Sequence, residues 1–211
     1  EYARIRRRLL VVDLLVSAAY LLVWILSGLA AALKTALLAV TANDWLLVPL
    51  FGGVLGLGYL LLTLPLSFYS GFTLPHRYGL STQTVRGWIS DLLKAMAVGA
   101  VLGGTMLEGL YDLLRASPEW WWLYGGVAYL LAVVVVANLA PVLIAPLFYK
   151  FLPLGEEHAD LAGRLTRLAQ NAGASVRGVF KIDLSRRTRA ANAALMGIGN
   201  TRRIVLGDTL L

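Results

Sequence analysis

Read for its apolar and polar positions, the chain separates into four long hydrophobic runs followed by a shorter stretch of mixed pattern. Arg4, Arg6, Arg7 and Arg8 precede the first run, from Leu9 to about Leu33. A hydrocarbon core of ~30 Å needs ~20 helical residues, so this run predicts a membrane-spanning helix. Asn43-Asp44 breaks the pattern, and a second span is predicted over Trp45 to Tyr69, with aromatic rings at both ends where the interfaces lie. Within it, Gly52 and Gly56 have the spacing of small residues that lets two helix backbones approach in lipid. The polar connection Ser70 to Thr84 is too irregular for a plain helix-helix turn, and Ser81 is the expected N-cap of a helix beginning near Thr82. A third span is predicted from about Leu92 to Leu114. A fourth, anchored by Trp120-Trp121-Trp122-Leu123-Tyr124, reaches Phe148, and Pro141 and Pro146 predict a kink in it.

From Pro153 the pattern becomes that of a water-exposed segment. Glu156 to Ala172 places Leu161, Leu165, Leu168 and Ala172 on one helical face, with acidic residues in the first turn and Gly173 as a stop. Val179 to Leu184 alternates as a strand does. Two further apolar runs, Ala190 to Ile198 and Arg203 to Leu206, flank Gly199-Asn200-Thr201-Arg202, the composition of a hairpin turn. The expected fold class is therefore a mainly α membrane protein. Four transmembrane helices occupy residues 1–153, and residues 154–211 begin an α+β domain of one helix, a strand and a β-hairpin.

Composition agrees: the 211 residues are 58% hydrophobic and 15% charged, too apolar for one water-soluble core. The first residue is Glu1, not Met, so no targeting signal is assigned. The net charge of +7 is better explained by topology than by nucleic acid, because the basic residues gather at span ends and in the C-terminal segment. Arg4 to Arg8, Arg77, Arg86 and Lys150 fall on one side of the membrane, which predicts a cytoplasmic tail.

Candidate chemistry is sparse. With no Cys, only His and carboxylates remain as metal ligands, and the two histidines, His76 and His158, lack the i, i+4 spacing that places two imidazoles on one helical face. No nucleophile elbow or phosphate loop is present. Glu108, deep in the third span, and Asn138, in the fourth, are candidate cavity-lining residues, since polar groups at membrane depth face protein or water rather than lipid. Arg186, Arg187 and Arg189 read as a solvated face.

Particular stretches go further. Leu64-Pro-Leu-Ser-Phe-Tyr-Ser70 followed by His76-Arg-Tyr-Gly79-Leu-Ser-Thr-Gln83-Thr84 resembles the membrane region of the type I CAAX prenyl endopeptidases, integral-membrane zinc metalloproteases. Pro146-Leu-Phe-Tyr-Lys-Phe-Leu-Pro153 resembles that family's exit from the membrane. Asp183 through Asn192-Ala193 and Arg203-Ile-Val-Leu-Gly-Asp208-Thr-Leu-Leu211 resemble the strands that lead to its zinc helix. Tyr149, Leu152 and Gly207 depart from the usual residues, the mark of a bacterial or divergent branch, and leave open whether substrates are prenylated. The resemblance implies a zinc endopeptidase acting on a peptide or protein substrate in the setting of the lipid bilayer, and it places Asn192 and Ala193 on the strand beside which the peptide lies. It implies zinc ligands beyond Leu211, so that these residues alone are inactive. The alternative class is a non-catalytic polytopic membrane protein, transporter-like or a scaffold, motivated by Glu108 and Asn138.

Overall fold

The first predicted span is two helices. In the computed structural model, which describes residues 1–197 and 202–211, α1 (Tyr2–Leu26) stops at Ser27 and α2 (Leu29–Val40) starts after Gly28, whose φ of 76° is left-handed backbone that glycine adopts without strain. Ser27-Gly28 is a turn dipeptide, but it is too short a break to divide the apolar run by hydropathy. At 12 residues α2 is ~18 Å long by the helical rise, short of a bilayer core. Helix α3 (Asp44–Phe68) is capped by the Asn43 side chain, which accepts from the Trp45 N–H at 3.0 Å. It runs on through a π-helical turn, Tyr69–Thr73, into α4 (Leu74–Arg77), so most of the predicted polar connection is helical.

The next helix, α5 (Val85–Ala116), begins later than predicted. Its cap is Thr84, whose Oγ1 accepts from the Gly87 N–H at 3.1 Å; Ser81 instead forms a local turn by accepting from the Gln83 N–H. The last span comprises α6 (Trp121–Leu139), a π-helical turn Ala140–Ile144, and α7 (Ala145–Phe148). Among the described residues four helices are long and apolar enough to cross a membrane. Leu130 and Leu131 are 65% and 62% exposed, which water would penalise and hydrocarbon satisfies.

Beyond the membrane, a short strand that the pattern did not reveal, β1 (Phe151–Pro153), precedes a 3₁₀ turn and α8 (Ala159–Asn171). Strand β2 (Val179–Ile182) is followed by a 3₁₀ turn at Leu184–Arg186, and then β3 (Ala193–Met196) and β4 (Arg203–Gly207). The sheet order is β1-β2-β4-β3, with β2 and β4 parallel and the other pairs antiparallel. The antiparallel β3/β4 pairing matches the predicted hairpin; its turn residues Gly199, Asn200 and Thr201 lie outside the described residues. Ile182, Leu184 and Val205 make the core beneath the sheet.

The chain divides into two compact units, Glu1–Tyr78 with Ala95–Gly125 and Gly79–Lys94 with Gly126–Leu211. In the first, a Cβ at Gly52 would meet Leu107 at 2.8 Å and one at Gly58 would meet the Tyr20 hydroxyl at 2.7 Å, so these glycines permit close helix packing. Gly56, predicted to act with Gly52, faces open space. Tyr20 and Ser17 on α1 bond to the Leu55 carbonyl and the Tyr59 hydroxyl of α3.

In the second unit, the broken final helix is repaired by cations. The π register pairs the Ala145 N–H with the Ala140 carbonyl, so the next carbonyl, that of Pro141, would need the N–H of residue 146. Residue 146 is proline and has none. Arg203 of β4 supplies the missing donor, its Nη2 lying 2.8 Å from the Pro141 oxygen. The Leu147 carbonyl, near the helix end, likewise accepts from Lys94 Nζ at 2.9 Å.

Candidate functional site

Strand order decides what β3 can do. It pairs with β4 on one side, and no strand among the described residues lies on the other. The Gly207 N–H donates to the Asn192 carbonyl at 2.8 Å, making Asn192 and Gly207 a hydrogen-bonded pair just ahead of the ladder. Antiparallel pairs alternate, so from the register Ala193↔Leu206, Ala194↔Val205 and Leu195↔Ile204 it follows that Ala194 bonds toward β4. The N–H and C=O groups of Ala193 and Leu195 then point outward, along an open edge. Ala193 is exposed and Leu195 is 54% exposed, so the face of β3 that carries their side chains is uncovered as well. Unpaired main-chain groups of this kind are a template for an added strand.

The predicted pair Asn192 and Ala193 therefore stand together at the head of this edge, with different capacities. Ala193 offers main chain; the Asn192 carbonyl already serves Gly207, leaving its exposed side-chain amide, which can both donate and accept. Leu195 is a member of the edge that sequence reasoning missed, because only the ladder register shows which residues face outward.

The residues around the edge hold it in place. A Cβ at Gly207 would meet Leu184 Cδ1 at 2.5 Å and the Asn192 oxygen at 3.2 Å, so only glycine lets β4 close against both. Asp183 Oδ1 accepts from the Lys150 N–H at 2.7 Å, and Asp183 pairs with Arg186 at 3.1 Å. Asp208 accepts from the Ser185 N–H at 2.8 Å and from the Ser185 hydroxyl. Burial pushes the Asp208 carboxyl up, but the Ser185 hydrogen bonds outweigh it and hold the group below the usual carboxylate range. Arg187, expected on a solvated face, is instead paired with Asp91 of α5, and the hydrogen bonds to that carboxylate raise its already high pKa against the opposing effect of burial. Its guanidinium also lies 4.8 Å from the Tyr149 ring centroid.

The candidate cavity residues are placed differently. Both carboxylate oxygens of Glu108 are buried and have no hydrogen-bond partner among the described residues. Leu107 and Tyr111 line a cleft of about 560 Å³ in the first unit, and Glu108 is not among its lining residues. The Asn138 amide donates to the Val134 carbonyl of its own helix at 2.7 Å. No three His, Asp or Glu side chains among the described residues come together as a metal-ligand set. His76 Nδ1 lies 2.7 Å from the Phe72 carbonyl and His158 lies beside Glu157.

Residues 1–150 match the family model described as the CAAX prenyl protease N-terminal region, with five membrane helices. The chain belongs to that family. Against CAAX prenyl protease 1 of Saccharomyces cerevisiae the identity is 34% over 162 residues, covering 76% of this chain and 35% of that protein. The uncharacterized metalloprotease YhfN of Bacillus subtilis is 29% identical over 214 residues, covering 100% of this chain and 49% of the relative. The crystal structure of S. mikatae Ste24p superposes with a TM-score of 0.84 at 28% identity, over 99% of this chain and 49% of that one. This member of the CAAX prenyl protease family thus spans a third to a half of the length of these relatives, and its multi-pass membrane helices followed by a helix and a small sheet share the fold of the Ste24p structure over that length.

Proposed function

We propose that this chain is the membrane and substrate-presenting part of an integral-membrane zinc metalloendopeptidase, and that β3 receives the peptide as an added strand. Family membership supports the peptidase reading, and the open edge at Ala193 and Leu195 carries the assignment of the peptide's place. Main-chain pairing grips any extended peptide whatever its side chains, and the Asn192 amide adds a donor and an acceptor at the head of the edge. The zinc that the family resemblance implies for the longer protein would supply Lewis-acid chemistry there. Among the described residues no three His, Asp or Glu side chains gather as a ligand set, and in this reading the chain's contribution is to bind and align the peptide. Residues 1–153 form the membrane domain and 154–211 open the peptidase domain, on the cytoplasmic side by the distribution of basic residues. Prenylation of the substrate is a refinement that the family name suggests.

The experiment is peptide cleavage and zinc content measured on the full-length protein carrying Asn192→Ala or Ala193→Pro. The reading expects lowered cleavage with zinc retained, the proline being the more severe because it removes an edge N–H. Unchanged turnover in both variants removes β3 from the site.

One observation favours a second reading, a transporter-like membrane protein: the Glu108 carboxylate is buried without a partner among the described residues. Solute flux into reconstituted vesicles that disappears in Glu108→Ala is its test.

A further inference from the structure

Two polar segments far apart in sequence run side by side in the second unit. The residues ahead of α5 and those ahead of β3 meet at an isolated bridge between Ser81 and Thr188. The Thr82 N–H and the Ser81 hydroxyl both donate to the Arg187 carbonyl at 3.1 Å, and the Arg189 N–H donates to the Leu80 carbonyl at 3.0 Å. Asp91, within the second turn of α5, closes the seam. Its two oxygens accept from Arg187 Nε and Nη2, each at 2.7 Å, and Oδ2 also accepts from Gln83 Nε2 at 2.8 Å. Both side chains of the pair are 19% exposed, so the fork is screened from solvent far more than a surface ion pair.

The consequence lies five residues downstream of Arg187. Residues 190–192, which lead into β3, belong to no helix or strand. Among the described residues they are held by the Ala190 N–H to Thr188 Oγ1, the Thr209 hydroxyl to the Ala190 carbonyl, and the Gly207 N–H to the Asn192 carbonyl. Upstream, the connector is held at three successive residues: the Arg189 N–H and Thr188 Oγ1 both donate to the Leu80 carbonyl, and the Arg187 side chain ties the same segment to Asp91 of α5. We infer that the Asp91–Arg187 pair is a positioning latch, which fixes the peptide-receiving edge of β3 to the start of membrane helix α5 and so sets substrate affinity. This rests on the reading of β3 as the peptide's strand. Neither residue touches the peptide; the pair acts through the path of residues 188–192.

The test uses the full-length protein in detergent or lipid, with Asp91→Asn as the near-isosteric variant and Arg187→Lys as the variant that keeps charge but loses the fork. Hydrogen exchange is followed at the Ala194 and Met196 amides, which the ladder turns toward β4, together with KM and kcat for a peptide and the thermal midpoint. Loss of one charge-assisted hydrogen bond predicts an increase of about tenfold in exchange rate and in KM, with kcat within about twofold. In the cycle of Asp91→Asn and Arg187→Lys, the second substitution adds little to the first. Exchange needs no peptide, so it judges the latch even if the protein cleaves nothing. Unchanged exchange at β3 overturns the latch. Exchange that rises with KM unmoved shows a pair that stabilises the fold without setting affinity, and overturns the positioning role.

Discussion

Replacing Arg203 by alanine tests whether a proline in a membrane helix is compensated by a side chain from the sheet. Arg203 Nη2 serves the Pro141 carbonyl at 2.8 Å, and its guanidinium carbon lies 5.0 Å from the Phe151 ring centroid and 5.9 Å from that of Phe180. Truncation strands a carbonyl, at about 1–3 kcal/mol, and removes two ring contacts worth about 0.5–1 kcal/mol each. Against this, Arg203 Nε is itself buried without a hydrogen-bond partner among the described residues, and removing it recovers about 1 kcal/mol or more. The net expectation is a loss of about 2 kcal/mol. Pro146→Ala then supplies the N–H that the Pro141 carbonyl lacks, so it should restore about 1 kcal/mol more in the Arg203→Ala background than in the parent. Any general gain from removing a proline is common to both backgrounds and cancels in the cycle. Chemical unfolding in detergent micelles, followed by tryptophan fluorescence, measures all four proteins. Additivity within about 0.3 kcal/mol would refute the reasoning, since it would mean that Arg203 and residue 146 do not share the carbonyl.

Gly207→Ala should destabilise by about 1–3 kcal/mol, because the new Cβ has buried Leu184 at 2.5 Å and must displace it or the Asn192 carbonyl; a variant with the parental unfolding midpoint would show that β4 yields without strain. Asp208 has a folded pKa below its unfolded value, so its contribution to stability is present above about pH 4 and is lost as pH falls through the folded pKa. Acid unfolding curves should accordingly show part of the decline below about pH 4 vanish in Asp208→Asn, and parallel curves would contradict this. Since the chain has no cysteine, single cysteines introduced at Ala172 and at Glu119 report the two sides of the membrane without background. An impermeant thiol reagent applied to intact cells should label position 119 and spare position 172; the reverse pattern overturns the cytoplasmic placement.

Elements set by local side-chain pattern could be read from the chain, whereas those set by long-range geometry could not. The apolar runs, the amphipathic face of α8 and the alternation of β2 are local, and hydrocarbon or core burial enforces them. Gly28 shows the limit: α1 ends at Ser27-Gly28, a turn dipeptide between two apolar runs, and a hydropathy window averages over so short a break. The π-helical turn after α6 is similar, an insertion among apolar residues, whereas the one after α3 falls on Ser70 and Thr73, whose polarity reads as a connection although the helix continues through it. Strand β1, three residues after a membrane helix, is too short to show a period. Asn192 and Ala193 were identified through resemblance, and the structure adds the reason they are available: β4 lies between β2 and β3, which leaves β3 outermost. The Asp91–Arg187 pair joins residues 96 positions apart, and nothing near either one announces the other.

The claim that a peptide lies along β3 is tested most directly by a backbone N-methyl scan of a peptide substrate, cleaved by the full-length enzyme. A strand held at Ala193 and Leu195 bonds through alternate residues, so methylation should raise KM by about fivefold to tenfold at every second position and little at those between. A scan in which the loss shows no period of two would contradict strand addition on this edge.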